Sequence, residues 1–254
     1  MGLMSLFGKG PLGEKKIAKI AKLASNPFAQ SEVRMRELQR LLADGSSAAM
    51  RGALKRFAAN ASGSIADEEE KRWLEDALVE RGELALEPLR DYIRTEKQLT
   101  YALRAYRRLS PPEETVRFFL EVMHLYGPDD HRSADAKLQL VCQLLDFMAD
   151  ARVVPGLVDF LLDHSDDVRW AVMDMLERAA DAGSLPAEVR ARAEELFTEL
   201  VTEPSVGPRI QTRATEILAA REWPLREGVE ALAPFVSDSY FVDKKRFVRR
   251  RIKR

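Results

Sequence analysis

The chain has 254 residues, with 40 Lys or Arg against 41 Asp or Glu, and it is 46% hydrophobic but only 7% aromatic. This mixture is enough for a substantial core and suits helices better than sheets. A single cysteine, Cys142, excludes an intramolecular disulfide and a thiolate metal cluster. No window approaches the 18 apolar residues of a membrane span, so a cytoplasmic all-α protein is expected.

The charge is unevenly distributed along the chain. Residues 237–254 carry eight Lys or Arg against two Asp, which leaves the rest of the chain mildly acidic. The basic residues of this tail are Lys244, Lys245, Arg246, Arg249, Arg250, Arg251, Lys253 and Arg254. Two interpretations stay open: the tail binds nucleic acid or anionic lipid by charge and stacking, or it docks as a hairpin with Phe241 and Phe247 on the core.

The first predicted helix covers residues 15–24. Ile17, Ile20 and Leu23 recur at a spacing of three, with lysines on the opposite side. This pattern predicts a capping helix at the end of a helical array, with one apolar and one solvated face. The alternative is a basic helix on a membrane surface, aided by apolar residues between Met4 and Phe7.

Apolar spacing of three and four predicts further helices, separated by Gly, Pro and Ser breakers. They are expected at 31–44, 47–60, 67–82, 83–95, 99–109, 113–126, 133–148, 151–162, 166–180, 186–202, 209–221 and 225–236. Only residues 240–252 show a trace of strand-like alternation. The acidic run Glu68–Glu70 is interpreted as a solvated first turn, and Cys142 as a buried, inert thiol.

Residues 151–180 form the clearest helix pair and match an earlier part of the chain. Residues 157–161 align with 89–93, and residues 170–172 align with 101–103, at offsets of 68 and 69. One further helix pair lies between the two copies. The repeat period is therefore about half of that offset, which is in the range of helical-pair repeats.

The sequence at this point resembles the HEAT repeat family. The run Asp166-Asp167-Val168-Arg169 resembles the start of the family's inner helix, and residues 76–89 resemble its helix–Gly–helix junction. The resemblance implies an α-solenoid of about six antiparallel helix pairs with a concave surface, in which Asp167 and Arg169 form a ladder between repeats. We expect an N-terminal segment and capping helix over 1–30, the repeat domain over 31–236 and the basic tail over 237–254.

The chain shows no recognisable catalytic or nucleotide-binding motif. There is no Walker loop, GxGxxG, HExxH or nucleophile elbow, and His124, His131 and His164 lack the spacing of a metal set. Each of these histidines is expected at a helix end or in a turn. We therefore expect a protein that is not an enzyme, with no cofactor and no metal.

One enzyme class with this fold is a remote alternative. Certain alkylpurine DNA glycosylases are built of HEAT-like repeats and use Trp and Asp beside an Arg-rich groove. Trp73 with Asp76, and Trp170 with Asp174, invite the comparison. Those enzymes follow a Trp with a basic pair that holds phosphates, whereas residues 171–173 here are Ala-Val-Met.

The expected inner helices carry charges of both signs. Arg104 and Arg108 accompany Tyr101 on one helix, while acids dominate residues 166–177 on another. A mixed face favours a protein partner over a continuous phosphate track. The sequence thus predicts a scaffold that binds another protein along its concave face, with Tyr101, Arg104, Arg108 and Arg169 as candidate contacts and the partner's identity unknown.

Overall fold

The computed structural model describes residues 12–251, apart from the side chain of Ser64. The protein is 70% helix, as the composition predicted. Its described α-helices are α1 (Glu14–Ala24), α2 (Ser31–Asp44), α3 (Ser47–Leu54), α4 (Ser64–Val79), α5 (Leu86–Thr95), α6 (Thr100–Leu109), α7 (Pro112–Tyr126), α8 (Ala134–Leu144), α9 (Val153–Leu157), α10 (Asp166–Asp181), α11 (Ala187–Thr202), α12 (Pro208–Arg221) and α13 (Pro234–Ser237).

Short 3₁₀ helices and one hairpin complete the secondary structure of this described part. The 3₁₀ helices are Lys55–Ala58, Gly82–Ala85, His131–Ser133, Leu145–Phe147 and Val158–Leu162. The strands β1 (Tyr240–Val242) and β2 (Val248–Arg250) pair antiparallel, with Tyr240 opposite Arg250 and Val242 opposite Val248. None of the described helices is long and apolar enough to cross a bilayer.

The chain divides into two compact units, Met1–Thr115 (unit 1) and Val116–Arg254 (unit 2). In unit 1, α3 packs between α1 and α5, and α4 packs between α2 and α6. Apolar side chains three and four residues apart fill the space between these two rows of helices. Fully buried examples are Leu38, Leu41, Leu54, Leu74, Leu78, Leu89, Ile93, Leu103 and Tyr106.

Unit 2 repeats this arrangement of alternate helices. α10 packs between α8 and α12, and α11 packs against α12 and the 3₁₀ helix Val158–Leu162. The fully buried side chains include Leu140, Val141, Leu144, Leu157, Leu161, Val172, Leu176, Phe197 and Leu218. A Cβ added at Gly156 would lie 2.8 Å from Leu120 Cδ2, so glycine lets α9 approach α7 closely.

The helix predicted over 225–236 is wrong. Only Pro234–Ser237 is helical, because the residues before it make other backbone hydrogen bonds. Leu225 N–H donates to the carbonyl of Arg246 at 2.8 Å, and Ala233 N–H donates to the carbonyl of Val201 at 2.8 Å. The segment is therefore an extended connection that holds the hairpin.

The predicted burial of Cys142 is also wrong, since its side chain is exposed. Leu140, Val141 and Leu144 form the buried face of α8, and Cys142 projects away from them. The run around it is apolar at nearly every position, so its periodicity does not reveal which residue faces solvent.

The acidic run at the start of α4 differs from the prediction as well. α4 begins at Ser64, three residues before the predicted start, and the Glu70 side chain is only 3% exposed. Glu68, two residues earlier, is 52% exposed. The run is therefore not uniformly solvated, because Glu70 points inward between helices.

Glu70 belongs to a buried ion cluster in unit 1, formed by Arg34, Arg56, Asp67, Glu70 and Lys71. Arg34 Nη2 lies 2.6 Å from Glu70 Oε1, and Arg56 Nη2 lies 2.5 Å from Asp67 Oδ1 and 2.9 Å from Glu70 Oε2. Lys71 Nζ lies 2.7 Å from Asp67 Oδ2. All five residues are buried, so each charge depends on the others for compensation.

The cluster also holds the backbone around it. Arg34 donates to the carbonyl of Ala29, and Arg56 donates to the carbonyl of Ala59 at 2.6 Å. The N–H of Ala61 donates to Asp67 Oδ1 at 2.9 Å. The cluster therefore ties two loops, one before α2 and one before α4, to the helices of unit 1.

Candidate interaction surfaces

In unit 1, the neighbouring helices α4 and α6 join two of the predicted contact residues to acids. Arg104 Nη2 lies 3.1 Å from Glu75 Oε2, and Arg108 Nη1 lies 3.1 Å from Glu75 Oε1. Arg108 Nη1 also lies 2.6 Å from Asp76 Oδ1. Glu75 is buried while both arginines are half-exposed, so the guanidinium groups cover a carboxylate and still face solvent.

Tyr101 lies on the same helix as these arginines. Its ring stacks on Phe57 with centroids 5.4 Å apart, and the Arg104 guanidinium lies 5.6 Å from its centroid. Burial and a hydrogen bond with Glu68 raise the pKa of Tyr101 to about 12. The hydroxyl therefore stays protonated at neutral pH and serves as a hydrogen-bonding group rather than a base.

A cleft of about 560 Å³ lies in unit 2, and one of about 470 Å³ lies between α2 and α4 in unit 1. The cleft in unit 1 is lined by Gln39, Leu42, Trp73, Asp76, Ala77, Glu80 and Arg81. Trp73 is half-buried there, with Asp76 one turn later on the same helix. As a site residue, Trp73 was predicted only through the glycosylase comparison. The spacing of Trp73 and Asp76 on one helix was the only sign of this site in the sequence. The cleft itself could not be predicted from that spacing, because its second wall is formed by α2.

In unit 2, α10 and α12 form a related face around Trp170. The guanidinium carbons of Arg209 and Arg213 lie 4.7 and 5.4 Å from the centroid of the indole ring. Arg213 Nη2 also lies 2.9 Å from Asp174 Oδ1. Both cations that cover Trp170 thus come from α12 rather than from the residues directly after Trp170 in α10.

The acids of α10 and the arginines of α12 continue this contact as a surface ladder. Its members are Asp167, Asp174, Glu177 and Asp181 on α10, and Arg209, Arg213 and Arg221 on α12. Arg221 Nη1 lies 2.5 Å from Asp181 Oδ1, and this hydrogen bond lowers the pKa of Asp181. In the ladder, each contact joins an acid of α10 to an arginine of α12.

The remaining predicted contact residue, Arg169, lies at the start of α10. Its Nη1 lies 3.4 Å from Asp166 Oδ1, a contact within the same helix. The contact between α10 and α12 is made by Asp167, whose Oδ1 lies 3.0 Å from Arg209 Nη1. Asp167 therefore bridges two helices, while Arg169 reinforces its own helix.

The basic tail forms the hairpin of β1 and β2, docked beside α12. Val248 is fully buried, whereas Phe241 is exposed, so Phe241 does not cap the core as the hairpin interpretation expected. Arg249 lies 2.7 Å from Glu222 and 3.1 Å from Asp243. Side chains alternate between the two faces of a strand. Val248 faces inward, so its neighbour Arg249 and the residue opposite Arg249, Phe241, face outward.

The other basic residues of the tail differ in their surroundings. Arg246 lies 4.0 Å from Glu227, and Arg251 donates to the carbonyl of Ser237 at 2.9 Å. The side chains of Lys244, Lys245 and Arg250 are exposed. Lys253 and Arg254 lie outside the described residues. Part of the predicted basic site is thus engaged with the protein itself, and part faces solvent.

The three histidines lie at helix ends or turns. The His131 and His164 rings stack with centroids 3.6 Å apart, and His124 Nε2 lies 2.9 Å from the carbonyl oxygen of Gly156. Within residues 12–251, no group of three or more His, Cys, Asp or Glu side chains is arranged to hold a metal ion. The surfaces described above are suited to non-covalent recognition through aromatic rings and paired charges.

No protein-family model, no curated protein and no solved structure matches this chain. Function is therefore inferred from these surfaces and from the packing of the helices.

Proposed function

We propose that the protein is a HEAT-like α-solenoid that acts as a non-enzymatic scaffold and binds another protein along the face formed by α4 and α6. The packing supports this proposal, since α1, α3 and α5 form one row and α2, α4 and α6 a second row in unit 1, and α8, α10 and α12 form a row in unit 2. Such rows are typical of repeat proteins, in which one row lines an extended binding surface.

The observation that carries the proposal is the cleft at Trp73. A half-buried indole in a cleft that is also lined by Asp76, the partner of Arg108, resembles the centre of a protein interface. Trp, Tyr and Arg are the residue types that most often dominate binding energy at such interfaces. Tyr101 and Arg104 extend the same combination along α6.

The charges on this face favour a protein over a nucleic acid. Arg104 and Arg108 already contact Glu75, and Arg108 also contacts Asp76. A phosphate chain would have to compete with these carboxylates at each arginine. A protein surface with charges of both signs can complement the pairs without breaking them.

The test compares two variants of the cleft with a matched control. Glutamate at Arg104 or Arg108 would leave Glu75 buried among like charges and would also destabilise the fold, so Trp73→Ala and Asp76→Lys are cleaner. Asp159→Lys is the control, because Asp159 is 62% exposed and paired with Arg192 at 2.8 Å, while Asp76 is 62% exposed and paired with Arg108.

We expect a partner captured from source cells by the full chain to be lost with Trp73→Ala or Asp76→Lys and retained with Asp159→Lys. Binding of the purified partner should weaken by about 2 kcal/mol or more for Trp73→Ala, as for an interface hot spot. Melting curves must show that both cleft variants stay folded. Equal binding by all three folded variants would show that this cleft is not the interaction surface.

A further inference from the structure

Helix α1 has one buried face and one strongly basic face. Ile17, Ile20, Ala21 and Ala24 are buried where α1 packs against α2 and α3. The opposite side carries four exposed lysines. They are Lys15, Lys16, Lys19 and Lys22. At 3.6 residues per turn, Lys15, Lys19 and Lys22 fall in one row along the helix.

These lysines differ from the arginines of the interaction surfaces because, within the described residues, they form no ion pair. Among residues 12–251, no carboxylate lies within 4.0 Å of any of the four ammonium groups, whereas the arginines of α6 and α12 described above contact acids of the adjacent helix. The positive charge of α1 is therefore available to an external anion. Leu23, which lies on the lysine side of α1, is partly exposed as well.

An exposed aromatic ring follows directly after this helix. Phe28 is 95% exposed, although its ring has no polar atom to interact with water. Its backbone is fixed, because Phe28 N–H donates to Asn26 Oδ1 at 3.0 Å and Ala29 N–H donates to the Asn26 carbonyl at 3.2 Å. The carbonyl of Ala29 is held in turn by buried Arg34. Phe28 is thus presented by an ordered turn.

We propose that the lysine face of α1, together with Phe28, docks on the surface of an anionic lipid membrane. Lysines close to a bilayer attract its anionic headgroups, and aromatic or aliphatic side chains insert into the boundary between headgroups and acyl chains. Exposed Phe28, four residues after the end of α1, and partly exposed Leu23 supply the apolar part.

The choice of residues favours a membrane over nucleic acid or a carboxylate-rich protein. The cations of this face are all lysines, with one exposed acid, Glu14, in the first turn of the helix. A lysine acts as a point charge that needs no fixed partner geometry. Bidentate recognition of phosphate or carboxylate uses arginine instead. A membrane offers both kinds of contact, since its anionic headgroups can attract the lysines and its apolar layer can accept the Phe28 ring.

The experiment measures co-sedimentation of the full chain with vesicles of phosphatidylcholine, alone or mixed with phosphatidylglycerol. The test variants are the triple substitution Lys15→Glu/Lys19→Glu/Lys22→Glu and the single substitution Phe28→Ser. Two controls in unit 2 match them. Lys244→Glu/Lys245→Glu/Arg250→Glu reverses three exposed charges, and Phe235→Ser removes another exposed ring.

We expect binding to the mixed vesicles only, weakened by about 100-fold or more in the α1 triple variant, as each lysine near the surface contributes substantially. Phe28→Ser should weaken binding by roughly tenfold. Added salt should weaken vesicle binding by the wild type, and Phe28→Ser should still bind more weakly than the wild type at high salt. Both controls should bind as the wild type does.

Several outcomes would overturn the proposal. They are absence of binding to the anionic vesicles, equal binding to neutral vesicles, and a loss of binding in the hairpin triple variant but not in the α1 triple variant. Binding of a duplex DNA probe that depends on the α1 lysines, without vesicle binding, would also contradict it. If the α1 triple variant has a lower melting temperature than the wild type, vesicle binding by Phe28→Ser and by the single variant Lys19→Glu tests the proposal instead, because both substitutions are at exposed side chains.

Discussion

The buried ion cluster of unit 1 and the surface ladder of unit 2 use the same chemistry in different surroundings. In both, arginines of one helix contact acids of a neighbouring helix at hydrogen-bonding distance. In the cluster, Arg34, Arg56 and Glu70 are almost completely removed from solvent. In the ladder, Asp181 is 65% exposed and Arg221 keeps a solvent-facing side.

The difference in burial matters more than the number of contacts. Water screens an exposed pair and solvates either partner when the other is removed, so the pair contributes little to stability. A buried charge has no such alternative, and removal of one partner leaves the others uncompensated. The cluster is therefore much more sensitive to a single substitution than the ladder.

The largest effect is expected for Glu70→Ala. This change removes the carboxylate shared by Arg34 and Arg56, which leaves buried Arg34 without its ion-pair partner and Arg56 paired with Asp67 alone. Loss of one partner from a buried ion pair costs about 3–5 kcal/mol. We expect urea unfolding to show a decrease of that size in the free energy of unfolding of unit 1.

Glu68→Ala is the matched control for this prediction. Glu68 lies two residues earlier in α4, is half-exposed and contacts Arg72 at 3.1 Å on the surface. Its removal should change stability by no more than about 0.5 kcal/mol. Similar losses for the two substitutions would contradict the view that burial distinguishes the cluster from surface pairs.

The helices of this protein were largely predictable from local patterns. α2 has the predicted bounds, because apolar residues recur at helical spacing and Asp44-Gly45 ends the run with glycine in the left-handed conformation. The segment 225–236 was not predictable in this way. Its structure depends on hydrogen bonds to Arg246 and Val201, which lie elsewhere in the chain.

The candidate surfaces were predictable only in part. The spacing of Tyr101, Arg104 and Arg108 places these residues on one side of α6, as their common contact with the α4 side shows. Their acidic partner, Glu75, comes from a different helix, and no local pattern distinguishes it from other acids. The same limit applies to Glu70, which looks like its exposed neighbours in the sequence.

A smaller effect is expected when low pH protonates Asp67 in the cluster. Burial alone would raise the pKa of Asp67, but hydrogen bonds from Lys71, the Ala61 N–H and Arg56 lower it to about 2. The unfolded chain, with a normal pKa near 3.8, then binds more protons than the folded chain between these values. The stabilisation is complete above about pH 4 and is lost as pH falls toward 2.

This depression of the pKa of Asp67 corresponds to roughly 2 kcal/mol of stability at neutral pH. Urea unfolding between pH 6 and pH 2.5 measures it, with Asp67→Asn as the reference. Asn cannot titrate, so the variant should be less stable at pH 6 and should lose less stability on acidification. Parallel pH profiles for the two proteins would argue against a charged Asp67 in the folded cluster.

The smallest effect is expected for Arg213→Ala in the ladder. Arg213 contacts Asp174 and Glu177, and it covers one side of the Trp170 ring, yet all of these groups keep access to solvent. Its removal should cost about 0.2–1 kcal/mol at low ionic strength, and the difference should shrink in 1 M salt, where the Debye length is about 3 Å.

Arg213→Lys separates charge from shape in this position, since lysine retains the charge but not the planar group over Trp170. Urea unfolding at two salt concentrations, together with Trp fluorescence, distinguishes the contributions. A salt-independent loss of about 3 kcal/mol or more for Arg213→Ala would place the ladder in the same class as the buried cluster. A small, salt-sensitive loss means instead that the ladder aligns α10 and α12 without stabilising them strongly, which leaves its charges available for exchange with a partner's.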